Sequence, residues 1–359
     1  MAFEDRPEED ELTADIHPDD RRTVVKESPF NAESAHPALA RAITPPGAHY
    51  VRCNFDVPEL DAAGHLVAVD GAVAEPFTLA AADLGFLPQR SVTVTLECAG
   101  NGRVGLAPLP SGEPWAHGAV STASWSGVPL SVLLDRAGLR DDVVEILVSG
   151  ADRGTPAGSR FETRFCRALP LDKALDANVI LAIEMNGRPL PVEHGAPVRL
   201  IVPGWYGMAS VKWVTRIAAL TEPFEGWFQR ERYVYERERE RRPVDVMRVK
   251  SLVMAPESGA GVPRGRVTVW GWAWSGAAPV AAVDVSLDGE AWQPATLDPA
   301  LAPHAWRRFS LVVPIDEPGR HVVRTRARDA AGRVQPDVPV WNKHGYGNNA
   351  IAPVCFYVV

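Results

Sequence analysis

Short apolar runs, either alternating with polar residues or packed four to eight together, recur along most of this chain. Val92-Thr93-Val94-Thr95-Leu96 alternates with period two, the pattern of a strand with one buried face. Further strands are predicted at Leu66-Val67-Ala68-Val69, at residues 143–148 and at residues 198–202. Helical spacing is confined to short stretches, residues 130–137 and 171–175. From about residue 46 to 245 this mixture predicts an α+β domain. After about residue 250 the pattern turns all-β. Val267-Thr268-Val269-Trp270-Gly271-Trp272-Ala273-Trp274 and the run 280–287 are strand-like, and Asp288-Gly289 follows the latter as a hairpin-type turn. Short strands with turn signals at this spacing predict an immunoglobulin-like sandwich over 246–359.

Residues 1–45 read as an acidic, proline-punctuated arm that drapes over a domain or stays mobile. Residues 230–242 alternate Arg and Glu densely, which predicts a solvated helix or connector ended by Pro243. There is no internal repeat and no low-complexity tract.

The 359 residues suffice for two domains and a sizeable core, and 32 prolines with 29 glycines favour strands and loops over long helices. A net charge of −8 argues against a general nucleic-acid binder, while leaving room for a local basic pocket. Cys53, Cys98, Cys166 and Cys355 have no spacing of a zinc clip, redox pair or haem attachment. No apolar run approaches a membrane span. The N-terminus has no signal-peptide core. The expectation is a cytoplasmic protein, or a periplasmic one if an export signal has been trimmed.

Candidate chemistry centres on Cys98. It follows a predicted strand and opens the turn Cys98-Ala99-Gly100-Asn101-Gly102-Arg103. A cation so near favours the thiolate, the metal-ligating form; the alternative is a packed core cysteine. Gly100-Asn101-Gly102-Arg103-Val104-Gly105 satisfies a dinucleotide-binding pattern. Three prolines in the next nine residues prevent the helix that pattern requires, so it is rejected. HExxH, P-loop, EF-hand and GxSxG motifs are absent. His194 to Arg199, followed by the glycine-rich stretch 202–213 with Lys212, reads as an anion site or as a structural turn.

Taken in order, these segments resemble the sulfite oxidase family of molybdopterin-dependent oxidoreductases from about residue 28 onward. Cys98-Ala99-Gly100-Asn101-Gly102-Arg103 resembles the family's C-A-G-N-R-R. Glu184-Met185-Asn186-Gly187, His194-Gly195, Val202-Pro203-Gly204 and Ser210-Val211-Lys212-Trp213 extend the match, as do Val334-Gln335-Pro336-Asp337 and Val340-Trp341-Asn342. The resemblance implies that Cys98 supplies a thiolate to molybdenum. Tyr50, Val51, Arg52, Cys53, Asn54, Asp152, His194, Arg199, Ser210, Val211 and Lys212 would hold the molybdopterin. Arg52, Arg103 and Arg307 would form a cationic pocket for an oxyanion, with Trp115 as its wall and Tyr233 as the active-site tyrosine.

The implied activity is oxidation of sulfite to sulfate. No haem is expected, so electrons would pass to a separate acceptor such as a cytochrome. No membrane or nucleic-acid partner is expected, and the C-terminal domain would form a homodimer. The sequence departs from the family at Cys53 (Asn in the family), Asn54 (His), Gly102 (Arg), Ile183 (Tyr) and Arg232 (an acid). Asn54 and Gly102 motivate an alternative in which the same cofactor acts on another sulfur oxyanion, a sulfoxide or a sulfane. A cofactor-free binding or scaffold protein is the alternative from another class.

Overall fold

The structure is a computed structural model, and it describes residues 21–238 and 240–359. Residues 1–20 of the acidic arm, and Arg239 in the charged run, lie outside the described residues. The chain divides into two compact units, each discontinuous in sequence. One contains residues up to 92, 118–202 and 208–229; the other contains 93–117, 203–207 and 230–359.

The first unit is built mainly of strands. A small sheet joins Thr23–Lys26, Asn31–Glu33 and Val51–Arg52, all antiparallel. A larger sheet runs in the order Phe77–Ala80, Leu66–Gly71, Val214–Leu220, Glu145–Gly154 and Thr163–Pro170. Its central strand, Val214–Leu220, is parallel to Leu66–Gly71 and antiparallel to Glu145–Gly154. Val67, Val69, Ile146, Val148 and Ile217 are essentially fully buried in it, as burial of alternate side chains requires. In a further sheet Ile180–Met185 pairs with Val120–Pro129, Arg188–Pro189 and Arg199–Ile201. The α-helices among the described residues are short: His36–Leu39, Leu130–Ala137 and Leu171–Ala174. In Leu130–Ala137 the buried residues are Leu130, Leu133, Leu134 and Ala137, the spacing of one helical face. The helical content is therefore smaller than an α+β reading suggests.

The second unit contains two larger sheets. One is Lys250–Ala255, Gly265–Trp274, Arg307–Ile315 and Thr296–Leu297; the other is Gly261–Val262, Val354–Val358, Gly319–Asp329, Val280–Leu287 and Gln293–Pro294. Val253, Val269, Phe309 and Val313 from the first share one buried core with Val283, Val285, Val323, Ala327 and Phe356 from the second. After Val280–Leu287, the Glu290 N–H returns to the Leu287 carbonyl at 2.8 Å across Asp288-Gly289. Segments 93–117 and 203–207 belong here through the backbone. Thr95 N–H donates to the His304 carbonyl, Tyr206 N–H to Asp245 and Met247 N–H to Gly204.

The charged run is neither a long helix nor an extended connector. Phe228–Arg232 forms a π-helix, and Val234–Arg237 then pairs with Glu240–Pro243 as an antiparallel hairpin. Tyr233, Val234 and Tyr235 in its middle are buried, at 3% exposure or less. That apolar triplet, hidden among charges, overrides the solvated-face pattern. Arg242 and Arg248 both lie 4.6 Å from the Tyr235 ring centroid, covering it with cation–π contacts.

Candidate active site

In the first unit the sequence-predicted residues converge around a buried group of cations. Tyr50, Val51 and Cys53 are buried at the strand Val51–Arg52. Arg52 donates to the Cys53 carbonyl, and to Asn54 Oδ1 at 2.9 Å. Cys53 N–H donates to Asn31 Oδ1 at 2.8 Å. Lys212 Nζ lies 2.9 Å from Cys53 Sγ and donates to the Glu193 carbonyl at 2.8 Å. Arg199, only 6% exposed, donates to the carbonyls of His194 at 2.9 Å and Ser210 at 3.2 Å. Ser210 Oγ accepts from Val202 N–H, and Leu200 N–H donates to the Val211 carbonyl. These bonds fix the 210–212 segment beside the strand Arg199–Ile201.

Gly195 makes the convergence sterically feasible. Its φ is +109°, and a Cβ there would lie 3.0 Å from the Cβ atoms of both Arg199 and Lys212. Any side chain would force those two cations apart.

Neither Arg199 nor Lys212 has a carboxylate partner within ion-pair distance among the described residues. Burial holds the Arg199 guanidinium down to about 10 and lowers Lys212. His194 is pushed well below its ordinary value by burial and then by Arg22, Arg199 and Lys212. Asp152 goes the other way. Burial raises its carboxyl to about 7, against the opposing pull of Lys212, Arg164 and Arg52. Four buried polar atoms here have no hydrogen-bond partner: Arg22 Nη1, His49 Nε2, Asp152 Oδ1 and Arg199 Nε. Unsatisfied buried donors on cations cost free energy, and a bound anion satisfies them.

The second unit holds Cys98 in a tightly tied loop. Asn101 N–H donates to the Cys98 carbonyl at 2.9 Å. Just before the cysteine, Glu97 accepts from Asn101 Nδ2 and Lys250 Nζ, each at 3.0 Å, and from Trp274 Nε1 at 2.9 Å. Gly347 N–H donates to the Ala99 carbonyl, and Asn348 Nδ2 to the Gly102 carbonyl, both at 2.7 Å. The C-terminal segment 342–349 therefore straps the loop. Cys98 is 7% exposed.

Arg103 is 2% exposed and donates only to carbonyls, those of Glu113 and, at 3.0–3.2 Å, His344. Its guanidinium lies 5.4 Å from the Tyr346 ring, and Tyr346 stacks on Tyr233 at 5.3 Å. His344 stacks on Tyr346 at 5.7 Å. Its Nε2 lies 3.5 Å from Glu236 Oε2, while burial followed by Arg232 lowers its pKa against the pull of Glu236. Trp115 is fully buried, its N–H on Glu113 and its carbonyl on Val104.

The contacts of Arg307 lie elsewhere in the second unit. It pairs with Ala273 across the sheet, and its guanidinium donates to the carbonyls of Asp298 at 2.6 Å and Val280 at 3.2 Å. No hydrogen bond or ring contact joins it to Arg103, Trp115 or Tyr233 among the described residues. Like Arg103, it donates to backbone carbonyls.

Sequence reasoning missed Arg22, His49, Glu97, Lys250, Trp274, His344, Tyr346 and Asn348. Only the last three carried a signal, since they follow Val340-Trp341-Asn342, already read as a motif. The others come from distant elements and have no local pattern.

Comparison with known proteins decides the ancestry. Residues 54–228 match the oxidoreductase molybdopterin binding domain, and residues 241–356 the Mo-co oxidoreductase dimerisation domain. The chain is 36% identical to mitochondrial sulfite oxidase of Homo sapiens, over 96% of this chain and 68% of that protein. It belongs to the sulfite oxidase family. A crystal structure of the sulfane dehydrogenase SoxCD from Paracoccus pantotrophus superposes with a TM-score of 0.82 at 30% identity, covering 94% of this chain and 91% of that one. An NADH nitrate reductase of Brassica napus is 32% identical over 95% of this chain and 42% of its own length.

For a sulfite oxidase family member the fit to a molybdenum cofactor can be tested on the residues themselves. Molybdopterin is a hydrogen-bonding pterin that ends in a phosphate. The first unit offers buried cations without carboxylate partners and orphaned donors, together with an orphaned acceptor on Asp152. This set fits such a group chemically.

Proposed function

We propose that this chain oxidises sulfite to sulfate: sulfite and water give sulfate, two protons and two electrons, the electrons leaving to an external acceptor. The observation that carries the reading is Arg103. A guanidinium almost wholly withdrawn from water, without a carboxylate partner and facing the Tyr346–Tyr233 stack, is suited to a small doubly charged oxyanion. It stands five residues after Cys98, in a protein similar to sulfite oxidases of Homo sapiens and Gallus gallus.

In this reading Cys98 supplies a thiolate to molybdenum, a soft ligand for a metal bound largely by sulfur. Among the described residues no group of three or more His, Cys, Asp or Glu side chains is placed to hold a metal ion; the remaining ligands would come from the cofactor. Tyr50, Val51, Arg52, Cys53, Asn54, Asp152, His194, Arg199, Ser210, Val211 and Lys212 hold the pterin. When bound, the cofactor supplies the two-electron oxidation. Arg103 binds and orients sulfite, and Tyr233 is kept in place by its stack on Tyr346. Trp115, fully buried and bonded through its carbonyl to the Val104 N–H next to Arg103, is read as a wall of that pocket. The two packed sheets of the second unit are read as an immunoglobulin-like sandwich that forms a homodimer.

The test is purified, molybdenum-loaded protein given sulfite and ferricyanide, with sulfate measured. Sulfite-dependent reduction is expected; no turnover from fully loaded protein contradicts the reading. A second reading, a sulfane substrate with the same cofactor, is supported by the resemblance to SoxCD together with Asn54 and Gly102. A substrate panel on the same preparation separates the two. Elemental analysis showing no molybdenum after expression with cofactor supply would favour the binding-protein alternative.

A further inference from the structure

Arg22 lies in the segment that the sequence assigns to a peripheral arm, immediately before the strand Thr23–Lys26. Its side chain is only 18% exposed and reaches across the first unit to Glu193, Nη2 to Oε1 at 3.2 Å. The guanidinium also lies 5.6 Å from the Phe30 ring. Both contacts orient it, and neither uses Nη1, which is buried without a partner. Glu193 is the residue whose carbonyl accepts from Lys212, and its neighbour His194 presents its own carbonyl to Arg199. Three cations from distant parts of the chain therefore meet at Glu193-His194.

Their hydrogen-bond capacity is incompletely used. Arg22 Nη1 and Arg199 Nε are both buried and unbonded. Lys212 has three ammonium hydrogens and two hydrogen-bond partners, Cys53 Sγ and the Glu193 carbonyl. Two carboxyl groups face the three charges: Glu193 pairs with Arg22, and Asp152 acts on Lys212 but is held toward its neutral form by burial. Burying that excess of positive charge is costly unless an anion joins it. A phosphate monoester carries the required charge and several acceptor oxygens.

We infer that Arg22 is a cofactor-binding residue, which directs its buried Nη1 to the phosphate of the pterin cofactor together with Arg199 and Lys212, and so couples the docking of the N-terminal segment to cofactor occupancy. The inference rests on the molybdopterin reading above and adds to it a residue outside the matched family motifs. Thr23–Lys26 pairs only with Asn31–Glu33 in its sheet. Such an edge strand is held by few backbone bonds, and the Arg22 contact is the tie that a bound phosphate strengthens.

The experiment compares wild type, Arg22→Ala and Arg22→Lys, each produced with cofactor supply. Pterin retention is followed by the fluorescence of its oxidised form during dialysis, and amide exchange is measured over residues 21–33 with and without cofactor. Losing one charge-assisted bond to phosphate is expected to speed pterin release by roughly tenfold or more. Arg22→Lys should recover part of the retention. Exchange over 21–33 should slow on loading in wild type and not in Arg22→Ala. Release within twofold of wild type, with no loading-dependent protection of that segment, overturns the inference. If wild type takes up no pterin at all, the molybdopterin reading falls with it. If wild type loads and Arg22→Ala retains pterin equally well, only the role of Arg22 falls.

Discussion

Lys250 Nζ and Glu97 Oε1 form an ion pair 3.0 Å long, with the two side chains only 4% and 2% exposed. The pair anchors the residue immediately before Cys98 to the strand Lys250–Ala255. Lys250 also reaches the Asn101 carbonyl at 3.4 Å, so one ammonium touches both ends of the loop. Removing one partner of a buried pair leaves an uncompensated charge, which costs about 3–5 kcal/mol. Lys250→Met is expected to lower unfolding stability by that amount in urea titration. A loss under about 1 kcal/mol would show that the loop does not depend on this tie.

Gly102 stands where the family has arginine, and restoring the arginine should not help. Gly102 has φ +82°, and a Cβ there would lie 3.4 Å from Lys250 Nζ and 3.6 Å from the His117 ring. Gly102→Arg adds left-handed strain of roughly 1–2 kcal/mol and a second cation beside Lys250. We expect a melting temperature several degrees lower and reduced molybdenum content. Equal stability would mean that the loop can re-form around the new side chain.

Arg103 and Arg307 make opposite predictions. Arg103→Gln should raise the sulfite KM by about tenfold or more, the worth of a charge-assisted contact. Arg307→Met should leave KM near wild type, because Arg307 bonds to Asp298 and Val280 and, among the described residues, has no contact with the Arg103–Tyr346–Tyr233 group. Steady-state kinetics on both variants, normalised to molybdenum, is the check. A large KM effect from Arg307→Met would return that residue to the oxyanion pocket.

Asp152 sets a pH dependence in the cofactor-free protein. Burial raises its folded pKa from 3.8 to about 7. Between those values the folded state holds a proton that the unfolded state has released. Stability from this group is therefore present at low pH and declines as pH rises from about 4 to about 7, by at most about 1.4 kcal/mol per unit. Asp152→Asn removes the decline. Urea denaturation at pH 5 and pH 7.5 should show the variant gaining on wild type at the higher pH. A constant difference would place the carboxyl in a normal environment.

Much of the fold was legible in the sequence because local pattern and tertiary burial agree. Val280–Leu287 and Leu130–Ala137 form as their periodicity predicts, and residues 130, 133, 134 and 137 are the buried helical face. The hairpin at residues 234–243 was not legible. Its buried Tyr233-Val234-Tyr235 triplet is outweighed locally by charge, and only tertiary packing reveals which face is hidden. The residues that the first unit gathers around Arg199 and Lys212 were named through motif resemblance, since most lie in two segments, 50–54 and 194–212. The loop supports were not, because Glu97, Lys250 and Trp274 meet across more than 150 positions of sequence. The bonds of Arg307 to Asp298 and Val280 were illegible for a related reason: an Arg-rich segment shows charge in the sequence but not which carbonyls it meets.

The central claim is that the Cys98 thiolate binds the molybdenum. X-ray absorption at the molybdenum edge, on equally loaded wild type and Cys98→Ser, tests it most directly. The account predicts one fewer sulfur neighbour of molybdenum in the variant, with pterin content retained and sulfite turnover lost. The same sulfur count in both proteins would contradict it.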